Sequence, residues 1–112
     1  MGTMVFVNFP VADVQRSTAF YEKLGFKKNE EFSTEEASSM MWDDQFWIML
    51  LNHDFYGKFI QEKQIIDAQT TSGALISFSL ESVEAVKQFG ETAKANGGNC
   101  YRVDMGIPEE QM

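Results

Sequence analysis

The sequence predicts an α+β protein in which a strand–helix–strand unit occurs twice. A shift of 69 positions aligns the apolar segment that contains Phe6 with the segment that contains Leu75. The same shift brings Asp13 onto Ser82, and both residue types are common helix N-caps. Each helical pattern then ends in glycine and leads into a polar strand pattern. Two such units can cover each other's apolar sheet faces, so we expect a single domain.

The elements of the first unit follow from hydrophobic periodicity. Its predicted strands are residues 4–9, 26–32, 36–42 and 46–51, with a helix from Asp13 to Gly25 between the first two. The last of these strands is apolar at consecutive positions, so both of its faces should be covered. The predicted boundaries are 1–54 for module one, 55–72 for a connection with a short helical piece, and 73–112 for module two.

The second unit contains fewer predicted elements than the first. It has a strand at 73–80, a helix between Ser82 and Gly97, a strand at 99–104 and a loop at 105–112. The equivalent of the last strand of module one would fall near position 120, beyond Met112. Module two is therefore incomplete, and we expect that the natural protein continues or that the missing strand comes from elsewhere. An uncovered sheet edge would otherwise be prone to association.

The composition excludes several classes of function. The chain has 112 residues with 17 acidic and 9 basic side chains, for a net charge of −8. This charge argues against nucleic acid or an anionic membrane as a partner. The one cysteine, Cys100, cannot form an internal disulfide, the first residues lack the basic and long apolar stretches typical of a signal peptide, and no apolar run approaches the length of a membrane span. We therefore expect a cytoplasmic protein.

Three motifs near the N-terminus carry a family resemblance. They are Pro10-Val11-x-Asp13-Val14, Ser17-x-x-Phe20-Tyr21 and Leu24-Gly25-Phe26. The second unit adds Gly73-x-x-Ile76-x-Phe78-x-Leu80 and Ala95-x-Gly97-Gly98. In these motifs the chain resembles the glyoxalase, bleomycin-resistance and extradiol-dioxygenase proteins, the vicinal oxygen chelate superfamily. The resemblance implies paired βαβββ modules whose curved mixed sheets enclose a cleft, with helices on the outer face. Its members commonly dimerise, so we expect a homodimer.

The resemblance also implies where a metal would bind. Its enzymes hold a divalent ion with side chains from the first and last strands of each module. Those positions correspond to Phe6, Met49 and Leu75, with the fourth beyond Met112. Phenyl and alkyl groups donate no lone pair, and a thioether is a poor ligand for Mg, Mn, Zn or Fe(II). We therefore predict no metal site and no cofactor.

The same alignment predicts an apolar cleft. On a strand, Trp47, Met49 and Leu51 share one face, while the residues between them share the other. Asn8 and Ser77 lie one strand step from Phe6 and Leu75 and could supply polar groups. The full predicted ligand-binding set is Phe6, Asn8, Trp42, Trp47, Met49, Leu51, Leu75, Ser77, Phe55 and Tyr56. Phe55 and Tyr56, together with Phe59, could form a lid over the cleft. The alternative is that these side chains simply fill a collapsed core.

Other reactive residues have simpler interpretations. His53 could be a general base, but a solvent-exposed loop histidine explains it as well. Cys100 fits a small buried side chain better than a reactive thiol. Asp43 and Asp44 fit a turn before the strong strand, because neighbours on a strand point to opposite faces.

The predicted function is the binding of a small hydrophobic or aromatic molecule by a member of this superfamily that lacks its metal. One alternative is a metal-dependent lyase or dioxygenase of the same superfamily, which the resemblance alone favours. Another is a metal-free enzyme that uses His53 or a residue beyond Met112. The sequence leaves open whether the protein is an enzyme.

Overall fold

The computed structural model describes residues 2–101, which divide into one unit that ends at Leu75 and another that begins at Ile76. The first unit contains every strand found in the described residues. Its elements are β1 (Val5–Val11), α1 (Val14–Lys23), β2 (Lys27–Lys28), β3 (Ala37–Met41), β4 (Phe46–Asn52) and α2 (His53–Gly57). The second unit contains α3 (Val83–Ala95).

The four strands form one curved sheet in the order β1-β4-β3-β2. The first strand runs parallel to β4, with Phe6 beside Trp47, and the other neighbours are antiparallel. A parallel pair needs a long crossover, which α1, β2 and β3 supply. This is the βαβββ arrangement, so the α+β fold predicted for the first module is confirmed.

The first helix begins and ends where the sequence indicates. The Asp13 carboxylate accepts a hydrogen bond from the backbone N–H of Arg16 at 3.1 Å, which satisfies one free donor of the first turn. After the helix, Gly25 has a φ of +107°, a conformation that side chains with a Cβ rarely adopt. The chain can therefore reverse at Gly25 and enter the sheet.

Residues alternate between the two faces of the sheet, and one face carries α1. Met40 and Leu50 on this face have no solvent exposure. Phe26 links this face to the helix, since its ring lies 6.2 Å from that of Phe46 and 5.4 Å from that of Tyr21. We call this the helix face, and the opposite side of the sheet the open face.

The predicted strand at 26–32 is much shorter in the structure. After β2 the chain forms a single 3-10 turn, Glu30–Phe32. The Asn29 side chain accepts a hydrogen bond from the Phe32 N–H at 3.2 Å, and the Ser33 hydroxyl donates to the Asn29 carbonyl at 2.6 Å. These local bonds compete with strand pairing, as polar side chains often do.

The predicted strand at 73–80 is absent, although these residues are described. In the first module β1 is held by its pairing with β4, whereas residues 73–80 pair with no strand among the described residues. A strand-like composition does not form a strand without such a partner. The predicted strand at 99–104 is not formed at 99–101, and its remainder lies outside the described residues, as does the predicted loop at 105–112.

The predicted helices after β4 and Ser82 are present. The short α2 begins at His53, two residues before the predicted connection of 55–72, and extends into it. Its cap Asn52 accepts a hydrogen bond from the Phe55 N–H at 2.8 Å. In the second unit, the Ser82 hydroxyl accepts from the Ala85 N–H at 3.0 Å and begins α3. Within residues 2–101, no helix has the length and apolar character needed to cross a membrane.

Candidate functional site

The open face presents a row of large side chains across three strands. Phe6 on β1 lies beside Trp47 on β4, which lies beside Met41 on β3. Neighbours in register share a face of the sheet, so all three side chains project on one side. One step along the strands, Asn8 lies beside Met49 in the same way.

Three aromatic rings meet on this face. The Trp47 ring lies 5.4 Å from that of Phe6 and 6.1 Å from that of Phe32, both in tilted arrangements. Trp47 is only 8% exposed, whereas Phe6 is 48% and Phe32 is 63% exposed. Since Phe6 comes from β1 and Phe32 follows β2, the two rings flank Trp47 from opposite ends of the sheet. We call Phe6, Trp47 and Phe32 the aromatic surface.

The Trp47 indole is held by its own hydrogen bond. Its Nε1–H donates to the Asp44 carbonyl at 3.2 Å, within the turn that precedes β4. The Asp43 carboxylate accepts from the backbone N–H groups of Gln45 and Phe46, each at 2.8 Å. Asp43 and Asp44 therefore form the turn that the sequence indicates, and this turn fixes the indole.

The open face also carries polar and thioether groups beside the rings. Asn8 is exposed and Met49 is half-buried, so both can be reached from solvent. Leu51 lies on the same face but is only 3% exposed. Trp47, Met49 and Leu51 therefore lie on the same face of the sheet, as the strand pattern predicts.

Trp42 lies on the helix face. Its ring is 5.2 Å from that of Phe26, and it passes close to the backbone of Gly25. The strand alternation explains this placement, because Trp42 pairs with Phe46 through a backbone hydrogen bond and so shares its face. The structure thus separates Trp42 from the aromatic surface, whereas the sequence grouped it with Trp47.

The remaining predicted residues lie in α2 and in the segment 75–77. Phe55 and Tyr56 are half-buried in α2, which follows directly from β4. Leu75 is 92% exposed, so it packs against neither Phe6 nor Met49. Ser77 is exposed in the second unit. Neither Leu75 nor Ser77 belongs to a strand, which is why the expected register with β1 is not formed.

The reactive residues do not form a cluster. Among residues 2–101, no three His, Cys, Asp or Glu side chains lie close enough to hold a metal ion. His53 is exposed at the start of α2. Cys100 is exposed rather than buried, and its Sγ lies close to Gly90 of α3. A depression of about 380 Å³ is lined by the single loop 68–74 and by none of the predicted site residues.

Comparisons with known proteins agree with this geometry. Residues 3–40 match the family model of the bleomycin resistance protein-like N-terminal region. A hypothetical protein from S. aureus superimposes with a TM-score of 0.68 at 24% identity, over 87% of this chain and 71% of that protein. The chain has the fold of the glyoxalase/bleomycin resistance/dioxygenase superfamily.

A second solved structure shares this fold. It is a glyoxalase/bleomycin resistance protein/dioxygenase family enzyme from Burkholderia phytofirmans, with a TM-score of 0.61 at 22% identity. The alignment covers 86% of this chain and 74% of that enzyme. No match was found among curated protein sequences.

Sequence reasoning missed Phe32 as part of the candidate site. The prediction placed it at the end of a strand, whereas it closes the 3-10 turn. The signal was present in the sequence, because Asn29 followed by Ser33 is typical of a turn held by side-chain hydrogen bonds.

Proposed function

We propose that the protein binds a small hydrophobic or aromatic molecule on its open face. The observation that carries this proposal is the aromatic surface, in which the fixed Trp47 ring is flanked by the exposed rings of Phe6 and Phe32. Exposed apolar groups gathered on one face are typical of binding surfaces.

The chemistry of the surface suits a flat ring. Aromatic pairs prefer tilted or offset arrangements, with centroids about 4.5–7 Å apart. A ligand ring could contact the exposed rings in this way, while the Met41 and Met49 sulfur atoms adapt to its outline. The Asn8 amide offers one donor and one acceptor group for a polar substituent. Ligand sites generally combine apolar walls with a few polar groups of this kind.

The proposed binding does not use the metal of related enzymes. Phe6 and Met49 occupy two positions that the family resemblance assigns to metal ligands, and neither offers a hard oxygen or nitrogen donor. A lyase or dioxygenase of the same superfamily is the competing function. It predicts about one equivalent of divalent metal in protein purified gently, together with a higher Tm on metal addition.

We also propose a cytoplasmic homodimer. The single cysteine, Cys100, cannot form an internal disulfide, which suits a reducing compartment. Members of the superfamily that the chain resembles commonly dimerise, which supports the proposed assembly. Sedimentation velocity at several protein concentrations measures the mass directly, and a monomer at all concentrations would exclude this assembly.

The binding test uses the two indole N–H groups as separate reporters. In a ¹H–¹⁵N spectrum, titration with 1-naphthol should shift the Trp47 indole signal saturably and leave the Trp42 signal nearly unchanged. A Trp42→Phe variant assigns the two signals. Phe6→Ala should weaken binding about 2- to 10-fold, because it removes one aromatic contact worth about 0.5–1.5 kcal/mol.

The control variant is Phe59→Ala. Phe59 is 68% exposed but lies after α2, where its ring contacts that of Phe55 at 5.4 Å. It should leave naphthol affinity unchanged if the aromatic surface binds the ligand. Equal shifts of both indole signals, or no saturation, would contradict the proposal.

A further inference from the structure

Two adjacent serines in β3 are buried on opposite faces of the sheet. Ser38 is 1% exposed and Ser39 is fully buried. The Ser38 hydroxyl points to the helix face and contacts the Met40 sulfur at 3.2 Å. The Ser39 hydroxyl points to the open face and donates to the Phe32 carbonyl at 2.5 Å. The two residues thus have the same chemistry and nearly the same burial but different partners.

The Ser39 contact belongs to a small network that holds the 3-10 turn against β3. The Asn29 N–H donates to the Ser39 carbonyl at 2.8 Å, and the Ser39 N–H donates to the Ser33 hydroxyl at 3.0 Å. The turn is therefore attached to one residue of β3 through its carbonyl, its N–H and its hydroxyl. Only the hydroxyl bond reaches Phe32 itself.

The attachment fixes the backbone from which the Phe32 ring projects. Its backbone carbonyl is fixed by Ser39, and its N–H donates to the Asn29 side chain at 3.2 Å. With both backbone groups held, the 63% exposed ring stays 6.1 Å from Trp47. An exposed ring held by a buried hydrogen bond is more ordered than one on a free loop, so less entropy is lost when a ligand contacts it.

We propose that Phe32 is a specificity-determining wall of the ligand site and that Ser39 is its positioning residue. This inference rests on the proposed function. An aromatic wall favours a flat aromatic ligand over a saturated molecule of equal size, because edge and face contacts add to simple burial. The site should therefore prefer 1-naphthol to 1-decalol, its saturated counterpart.

The test compares the two serines by calorimetric titration with both alcohols. Phe32→Ala should weaken 1-naphthol binding about 5-fold and leave 1-decalol binding within about 2-fold. Ser39→Ala should weaken 1-naphthol about 3-fold in the same selective way. Ser38→Ala, the matched control, should leave both affinities within about 1.5-fold. Equal losses in Ser38→Ala and Ser39→Ala would overturn the positioning role.

A double variant separates positioning from general stability. If Ser39 acts through Phe32, Ser39→Ala should add no further loss of naphthol affinity in a Phe32→Ala background, although urea unfolding would still report its lower stability. An additive loss would overturn the inference. If Phe6→Ala weakens naphthol binding but Phe32→Ala does not, this inference fails and the proposed function stands. If the unmodified protein binds neither alcohol, both fail.

Discussion

Tyr21 shows how the helix face affects a single titratable group. Its ring packs between those of Phe20, at 5.3 Å, and Phe26, at 5.4 Å, on the sheet side of α1. Burial raises the pKa of the Tyr21 hydroxyl above its ordinary value near 10, because the phenolate is poorly solvated there. The native state therefore holds this proton more tightly than the unfolded chain does.

This proton linkage predicts a loss of stability in alkali. Above about pH 10 the unfolded chain loses the Tyr21 proton first, so the free energy of unfolding falls as the pH rises toward the folded pKa. Below about pH 9 both states are protonated and the contribution is constant. Urea unfolding between pH 8 and 11 should show a steeper decline for the natural protein than for Tyr21→Phe. Parallel declines would show that Tyr21 is not the group responsible.

Strand alternation predicted the side of the sheet for most single residues. Trp47, Met49 and Leu51 share the open face as expected, because β4 is regular over its whole length. Trp42 follows the same alternation, because its backbone bond to Phe46 places it on the helix face, although the sequence had grouped it with Trp47. Phe32 was missed because it lies beyond β2 in the 3-10 turn, where side-chain hydrogen bonds decide the direction of the chain and period-two patterning carries no information.

Among the elements, the end of α1 offers a sharp test of backbone geometry. Gly25→Ala should lower the free energy of unfolding by about 1–2 kcal/mol, because a Cβ is unfavourable at positive φ. Gly57→Ala is the matched control, since a Cβ there meets nothing within 4 Å and Gly57 ends α2. It should be neutral or slightly stabilising in the same urea measurement. Equal effects would mean that the turn tolerates a side chain.

The sequence correctly predicted the helices and the long strands. It did not predict which segments form only a short strand or no strand at all. The caps Asp13 and Ser82 have local signals, so α1 and α3 begin where expected. A strand depends on its partner, and the segment 73–80 has a strong strand composition but no pairing. The composition of this segment therefore indicates a β-strand propensity, but a strand forms only when a neighbouring strand pairs with it.

At the scale of the whole molecule, the sheet belongs entirely to the first unit. The four strands found in residues 2–101 and both tryptophans lie before Leu75. We predict that a fragment of residues 1–75 folds alone, with near-ultraviolet circular dichroism from ordered tryptophans and a cooperative urea transition. A fragment of residues 1–45 lacks β4 and should show neither. A featureless spectrum for the longer fragment would show that the first unit needs the rest of the chain.

The parallel pairing of β1 with β4 has a consequence for synthesis in the cell. Phe6 cannot pair until Trp47, about 40 residues later in the chain, has been synthesised. Only then can β4 insert between β1 and β3. At about 5–20 residues per second, the ribosome takes on the order of seconds to make that partner. During that interval Val5, Val7 and Phe9 have no partner strand, so we expect chaperones that recognise extended apolar segments to bind the nascent β1.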